Sequence, residues 1–245
     1  MAVEYAPGLL LRGFTPPLAL RDFRLVAFDM DSTLIDIECV DEIAAAAGRK
    51  AEVAAITEAA MKGQFGGETG DYKDSLRRRV AMLRGVPESA LHAVYSRLNL
   101  NPGVEGFVRA CRDAGLATLL VSGGFTFFAD RIRERLGLDF ARANVLEIDA
   151  GGLTGRMVDQ PWGDICDGEC KRVTLLDTCA RLGIAPARSI AVGDGANDLP
   201  MMAAAGLSIA YHPKPAVRER AMIAILDGGM DRALEVLLPG PPAQG

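Results

Sequence analysis

The stretch FDMDSTLIDIE, Phe28 to Glu38, ends an apolar run, RLVAFDM (24–30), with two aspartates one residue apart. Neighbouring carboxylates repel and resist burial, so such a pair at the end of a hydrophobic strand needs a compensating charge. A divalent cation supplies it: Asp29, the backbone carbonyl near Asp31 and the later Asp194 offer Mg²⁺ oxygen ligands and leave room for water and a phosphate oxygen. With the charge balanced, Asp29 can attack phosphorus to form an aspartyl-phosphate. Asp31 can protonate the leaving oxygen and then activate water, assistance typically worth ~10²–10⁴-fold. Ser122-Gly123-Gly124 brings a hydroxyl and unobstructed N–H groups to the start of a helix, a cradle for phosphate. Lys171 opens another helix, where the macrodipole gives a cation nothing, and suits charge stabilisation at the phosphoryl group. Each signal has a plainer reading. An Asp after a strand caps the next helix, a Ser-Gly-Gly is commonly a turn, and a helix-start Lys is commonly solvated. Those readings weaken when Asp29, Asp31, Ser122, Asp194, Asn197 and Asp198 all follow apolar runs.

The elements that must position these residues follow from the apolar patterning. RLVAFDM, ATLLVSGG (117–124) and SIAVGDG (189–195) are short continuous apolar runs, as expected of strands covered on both faces. LSIAY (207–211) and AMIAIL (221–226) extend the set, and helical patterns such as VEGFVRACRDAG, FTFFADRIRERLG and CKRVTLLDTCARLG separate them. The alternation predicts an α/β fold, a doubly wound, mostly parallel sheet with helices on both faces, whose strand ends share one ligand-binding edge. NVLEIDAGGLTGRMVD (144–159), alternating about Gly151-Gly152, predicts a β-hairpin. From about Val40 to Leu100 the strand signal vanishes, and successive helical segments with Gly stops predict an all-helical cap domain inserted after the first strand. The expected division is an N-terminal extension at 1–23, loosely tied; a core at 24–39 and 100–238; a cap at 40–99; and a flexible tail at 239–245.

Composition narrows the class. With 245 residues, 49% hydrophobic and 24% charged, the chain reads as a globular protein with a full core. A net charge of −5 leaves no basic footprint for nucleic acid or anionic membrane. The N-terminus lacks the basic start of a signal peptide, no stretch approaches the ~18 apolar residues of a span, and the five scattered cysteines read as reduced thiols in a cytoplasmic protein. Cys166 and Cys170 have metal-like spacing, but without a second pair or a nearby His a structural role is the better reading.

FDMDSTLI followed by GDGANDLPMM resembles the haloacid dehalogenase (HAD) superfamily of phosphotransferases. Its DxDx[TV] hallmark is matched by Asp29-Met30-Asp31-Ser32-Thr33, its second-motif Ser or Thr by Ser122, its third-motif Lys by Lys171 and its acidic GDGxND motif by Gly193 to Asp198. The ordered set is far more specific than any one motif. A closer likeness, carried by DSTLIDIECVDEIA, MKG, SLRRRV, NPGVEGFV, VSGGF and GDGANDLPMMAAAGLSIAYHPKP, runs from about Leu25 to Leu226 and is to the branch of that superfamily that hydrolyses O-phospho-L-serine. The resemblance implies a HAD-like, Rossmann-like core and Mg²⁺-dependent release of serine and phosphate, the last step of serine biosynthesis. It also implies Asp29 as nucleophile and Asp31 as acid/base, with Asp29, Asp31 and Asp194 on the metal. Glu38, Arg79, Ser122, Gly123, Lys171 and Asn197 would then contact substrate.

The substrate's chemistry agrees with that assignment. An ammonium and a carboxylate lie beyond its phosphate, so its pocket needs one anion and one cation. Glu38 suits the first and Arg79 the second, bidentately. Arg79 is chosen among Arg77, Arg78 and Arg79 from the family pattern SLxxRV; a solvated helix face is the plain reading of the run. By family position Met61 and Tyr72 form an apolar wall. Two departures bear on substrate: the segment MKGQFGGETGDYKDS (61–75) is longer than the family's and carries Tyr72 where Phe is usual, and QPWGDICDGECK precedes Lys171. The regulatory domain that precedes the core in some relatives is expected to be absent. Partners expected are a small phosphomonoester, with no nucleic acid and no membrane, and a homodimer stays open. Two other readings remain: the same chemistry on another small phosphomonoester or with transfer to an alcohol, and a non-catalytic phospho-ligand binding protein.

Overall fold

The computed structural model describes residues 2–61 and 72–238, apart from the side chains at 54 and 57–61. In chain order the strands are β1 (Val3–Ala6), β2 (Leu9–Leu11), β3 (Leu18–Ala19), β4 (Leu25–Phe28), β5 (Ala117–Phe125) and β6 (Phe140–Asp149). They continue with β7 (Gly152–Val158), β8 (Ser189–Gly193), β9 (Leu207–Tyr211), β10 (Ile223–Ile225) and β11 (Leu237–Leu238). Among the described residues, nine of them form one sheet in the order β1-β2-β10-β9-β8-β4-β5-β6-β7, and β3 pairs with β11 apart from it. Pairings from β10 through β6 are parallel, whereas β1–β2, β2–β10 and the β6–β7 hairpin are antiparallel. This is the doubly wound, mostly parallel sheet that the apolar patterning predicts.

Strand β4 explains the layering. All four of its residues are buried, and their period of two divides them between two cores. Val26 and Phe28 join the core that holds helices α5 (Val104–Asp113) and α6 (Thr126–Leu136), with Phe28 edge-on to Phe107 at 6.1 Å. Leu25 and Ala27 join Leu175, Cys179, Met201 and Val217 from α7 (Gly168–Leu182), α8 (Leu199–Ala204) and α9 (Pro215–Arg218) on the other face. Full burial of Leu25, Val26 and Phe28 contributes roughly 1.5–3 kcal/mol each, which fixes the strand more firmly than its short length suggests.

The chain leaves β4 for β5 on one side and later returns to β8 on the other, so the switch point of the sheet lies between β4 and β8. Register then decides what meets there. Phe28 lies opposite Leu120 of β5 and Val192 of β8. The residues just beyond, Asp29, Ser122 and Asp194, therefore emerge together at the carboxyl ends.

The N-terminus departs from expectation. Residues 1–23 were to be a loosely tied extension, yet β1 and β2 add two antiparallel strands to the sheet, and Leu9, Leu11 and Leu20 are buried. The reason is the exposed edge that β10 would otherwise present: three apolar residues, Ile223 to Ile225, pair with Leu9 to Leu11 and cover it.

Between β4 and α5 stand the cap helices α1 (Cys39–Ala46), α2 (Lys50–Met61), α3 (Tyr72–Ala81) and α4 (Ser89–Tyr95). Two linkers join cap to core, and they are stapled to each other. Asp36 accepts from the Asn99 N–H and side-chain amide at 2.9 and 3.0 Å, and Asn101 Nδ2 donates to the carbonyls of Thr33 and Ile35 at 3.0 Å each. The far end of the cap is tied to the hairpin by backbone bonds, Gly85 N–H to Leu153 O and Leu153 N–H to Val86 O. These ties help to set the position of the cap relative to the sheet.

Candidate active site

The turn after β4 does much of the positioning. Ser32 takes a left-handed φ of 58°, a conformation that costs a non-glycine residue roughly 1–2 kcal/mol. The turn is held by N–H groups of Leu34 and Ile35 on the Met30 carbonyl, and by Ser32 Oγ donating to Glu38 Oε1 at 2.8 Å. It brings Glu38 near enough to Asp31 and Asp194 for its charge to be felt at both.

Asp29 is buried, and its amide donates to Val192 O at 2.9 Å, so the β4–β8 ladder fixes its backbone. Lys171, with no exposed surface, reaches between two carboxylates: its Nζ donates to Asp29 Oδ1 at 2.5 Å and to Asp198 Oδ1 at 2.6 Å. Asp198 accepts again at Oδ2 from the N–H groups of Asp194 and Gly195, at 3.1 and 3.0 Å. This close approach requires Gly193, where a Cβ would fall 2.4 Å from Asp198 Cγ. Asp167 caps α7 by accepting from Cys170 N–H at 2.9 Å and so sets where Lys171 begins its reach.

Oxygens of Asp29, Asp194 and Asp198 lie within 4.8 Å of one another, the one set of at least three metal-ligating side chains so placed among the described residues. Asp198 accepts three hydrogen bonds of 2.6, 3.1 and 3.0 Å, whereas Asp194 has longer contacts, from Thr33 Oγ1 to Oδ1 and from Lys214 Nζ to Oδ2, each at 3.4 Å, and with Asp29 is the less firmly committed to the protein's own donors. Burial pushes the Asp29 carboxyl up, the negative Asp198 adds to it, and Lys171 opposes both. Asp194 is raised to about 6, chiefly by burial, against the pull of Lys214, whose Nζ sits 3.4 Å from its Oδ2. For Lys171 burial works against the charge, but Asp198 and Asp29 outweigh it and hold the ammonium well above its usual range. Buried carboxylates pressed together in this way fit a divalent cation.

Asp31 is not in that cluster. Its carboxylate faces α1 and accepts from Cys39 N–H and Cys39 Sγ–H, each at 3.1 Å. Burial and the nearby Glu38 raise it to about 7, the range in which a carboxyl can both give and take a proton at neutrality. Desolvation keeps the Cys39 thiol protonated, and therefore a donor.

The cradle follows β5. Ser122 is buried and its Oγ accepts from Gly124 N–H at 2.9 Å. Asn144 ties the turn to the loop before Lys171, donating to Gly123 O and accepting from Cys166 N–H, both at 2.8 Å. Over Gly123 sits the hydroxyl of Tyr72 from the cap, so close that a Cβ on Gly123 would fall 1.9 Å from it. Asn197 is half-buried on the short turn before α8, its carbonyl against Gly168 at the start of α7.

Of the cap arginines, Arg77 binds Asp164 in the core loop at 2.5 Å, alongside Lys73 at 2.8 Å. Arg78 is exposed, and Arg79 is half-buried. Tyr72 and Arg79, seven residues apart, share a helix face, and the Arg79 charge is felt at the Tyr72 phenol. The run of three is therefore split, with Arg77 on the core loop and Arg79 turned to the site. The side chain of Met61 and the long segment 62–71 lie outside the described residues.

Asp198, Lys214, Asn144 and Cys39 were given no role by sequence reasoning. For Asp198 the signal was present in GDGAND but is equally that of a helix cap. For Lys214 it was the HPKP after a strand; Asn144 and Cys39 carried none, since their partners are brought to them only by the fold. A cavity of about 360 Å³ beside Arg142 and Arg181 opens elsewhere, along β6 and α7, and includes none of these carboxylates.

Comparison with known proteins agrees with this geometry. Residues 23–206 match the family model described as haloacid dehalogenase-like hydrolase. A phosphoserine phosphatase of Polaromonas sp. strain JS666 is 67% identical over 96% of this chain and 98% of its own length. One from Albidiferax ferrireducens is 65% identical with the same coverage. A solved structure, the phospho-aspartyl intermediate analogue of phosphoserine phosphatase, superposes with a TM-score of 0.79 at 36% identity, over 87% of this chain and 98% of that one.

Proposed function

The chain belongs to the haloacid dehalogenase-like hydrolases, and within that family we propose that it hydrolyses O-phospho-L-serine to L-serine and inorganic phosphate. The observation that carries the reading is the buried Lys171 held between Asp29 and Asp198 beside Asp194. A binding protein has no need of a desolvated carboxylate kept beside a fixed cation. The identity to phosphoserine phosphatases over nearly the whole chain supports the substrate.

Mg²⁺ is the cation we propose, held by Asp29, Asp194 and the backbone carbonyl of Asp31, with Asp198 fixing the loop behind them. When bound it supplies the positive charge that lets a phosphate dianion approach two carboxylates. The chain's own groups do the rest. Ser122 Oγ, the Gly123 N–H, Asn197 and Lys171 surround the phosphoryl oxygens, where charge spreads in a loose transition state. Asp29 attacks phosphorus as the serine oxygen leaves, and that oxygen takes its proton from Asp31. The product of this half is an aspartyl-phosphate at Asp29, the species whose analogue the superposed phosphoserine phosphatase carries. Asp31, now ionised, takes a proton from water as the water oxygen attacks phosphorus, which frees phosphate and restores Asp29. Tyr72 over Gly123, with the Lys73–Asp164–Arg77 ties, keeps bulk water out during the first half. Glu38 takes the substrate ammonium and Arg79 its carboxylate.

Phosphate release measured across phosphoserine, phosphothreonine, phosphoethanolamine and phosphoglycolate tests the reading. The expected result is the highest kcat/KM on phosphoserine, with activity abolished by chelation and restored by Mg²⁺. A clear preference for a substrate that lacks either the amine or the carboxylate would overturn the assignment of Glu38 and Arg79 and the substrate with it.

A further inference from the structure

Among the described residues, two buried polar atoms of the cap have no hydrogen-bond partner: Nε of Arg79 on α3 and Oδ1 of Asp41 in the first turn of α1. Buried donors and acceptors are bonded in the great majority of cases, and an orphan is expensive enough to ask what completes it. Here one orphan is a cationic donor and the other an anionic acceptor. Both belong to the wall of the substrate site: Asp41 stands three residues after Glu38, and Arg79 shares its helix face with Tyr72, whose hydroxyl lies over Gly123. Burial pushes the Asp41 carboxyl up, and of the charges acting on it that of Arg79 is the largest. Lys50, the other cation felt there, lies on the outer side and is paired with Glu42 at 3.5 Å.

We propose that Asp41 is a positioning residue for Arg79. In the substrate complex its Oδ1 accepts the Arg79 Nε–H and fixes the plane of the guanidinium, so that the two Nη groups face the substrate carboxylate bidentately. A guanidinium offers its donors as a rigid fork, so satisfying Nε from behind selects which edge is presented. Lysine in place of Arg79 has no donor equivalent to Nε and cannot be oriented in this way. The inference rests on the phosphoserine reading, because only a substrate with a carboxylate has use for the oriented edge.

Steady-state kinetics of Asp41→Asn on phosphoserine and on phosphoethanolamine, which keeps the phosphate and ammonium but lacks the carboxylate, separate the outcomes. The expected result is a KM for phosphoserine raised about tenfold, the scale of exchanging a charge-assisted hydrogen bond for the neutral one that the asparagine Oδ1 can still accept, with kcat little changed and phosphoethanolamine much less affected. Asp41→Ser, smaller and neutral, gives the same split if Asp41→Asn does not fold. In an Arg79→Lys background the Asp41 substitution is expected to add no further loss on phosphoserine. Equal losses on both substrates, no loss on either, or additive losses in the double variant each overturn the proposal. The unaltered protein measured alongside keeps the two ideas apart. If it prefers phosphoethanolamine, the substrate reading falls and takes this inference with it. If it prefers phosphoserine and Asp41→Asn is indifferent, only the role of Asp41 falls.

Discussion

Lys171→Met should cost the protein both its stability and its turnover. The ammonium is fully buried and holds Asp29 and Asp198 at once. Removing it leaves two desolvated carboxylates with Asp194 close by and no cation between them. Breaking a buried ion pair by deleting one partner typically costs about 3–5 kcal/mol, less whatever Asp29 and Asp198 recover by taking up protons. The expected loss should appear as a lower midpoint in chemical or thermal unfolding, smaller at low pH, where the orphaned carboxylates are neutral. Sign follows from the charges: the variant's unfolded state releases protons that its folded state retains, so its stability falls as pH rises. Divalent cation added to the variant should restore part of the midpoint without restoring activity, because a cation can offset the buried charge but cannot supply the amine to the phosphoryl oxygens. A midpoint equal to that of the unaltered protein would mean that Lys171 is not the counter-charge of this cluster.

Asp29→Asn is the opposite case, in which activity collapses and the fold survives. The amide is isosteric and neutral, so repulsion from Asp198 and Asp194 is relieved while one of the two Lys171 contacts is weakened. These changes oppose each other, and the unfolding midpoint should stay close to its original value. Turnover should fall by at least ~10⁴-fold, the scale seen when a nucleophile is removed from a site whose other groups remain. Phosphate release by the purified variant, with its midpoint measured on the same sample, checks both halves. Retained activity would remove Asp29 from the chemistry.

The contrast with Asp31 explains why two carboxylates separated by one residue can serve different ends. Asp29 lies on the Lys171 side with the other buried acids, whereas Asp31 turns to the first turn of α1, where the Cys39 N–H and thiol meet it and burial, with Glu38 adding to it, lifts it to about 7. Both lie beyond the end of β4, where the chain turns through the left-handed Ser32 and strand alternation no longer holds, and in the proposed mechanism their different surroundings divide nucleophile from proton carrier.

The central strands were legible because their signals are local and reinforce one another. An apolar run of four or five residues followed by Asp, Ser or Gly appears at β4, β5 and β8, and parallel pairing with both faces covered requires little else. The register that aligns Asp29, Ser122 and Asp194 was not readable, but the ligand-binding edge of an open α/β sheet made their convergence a sound expectation. The N-terminal strands were misjudged for a physical reason. Val3–Ala6 is mostly exposed and carries no pattern, and Leu9–Leu11 gains its meaning only from Ile223–Ile225, more than two hundred residues away. A partner supplied by another element also hid the roles of Asp198 and Lys214. Each looks like an ordinary cap or surface residue until the fold brings Lys171 to the first and Asp194 to the second. Arg79 lay between: the run of three arginines was visible, the family pattern SLxxRV singled out Arg79, and the fold adds that it is half-buried where Arg77 and Arg78 are exposed.

Acid quench of the enzyme while it turns over phosphoserine with Mg²⁺, then digestion and mass analysis of the peptide that carries residues 25–38, tests most directly whether Asp29 carries the phosphoryl group. The result expected is a phosphoryl adduct on Asp29 that forms within the first turnover and disappears once substrate is spent. Steady turnover with no adduct on that peptide, or an adduct on another residue, would contradict it.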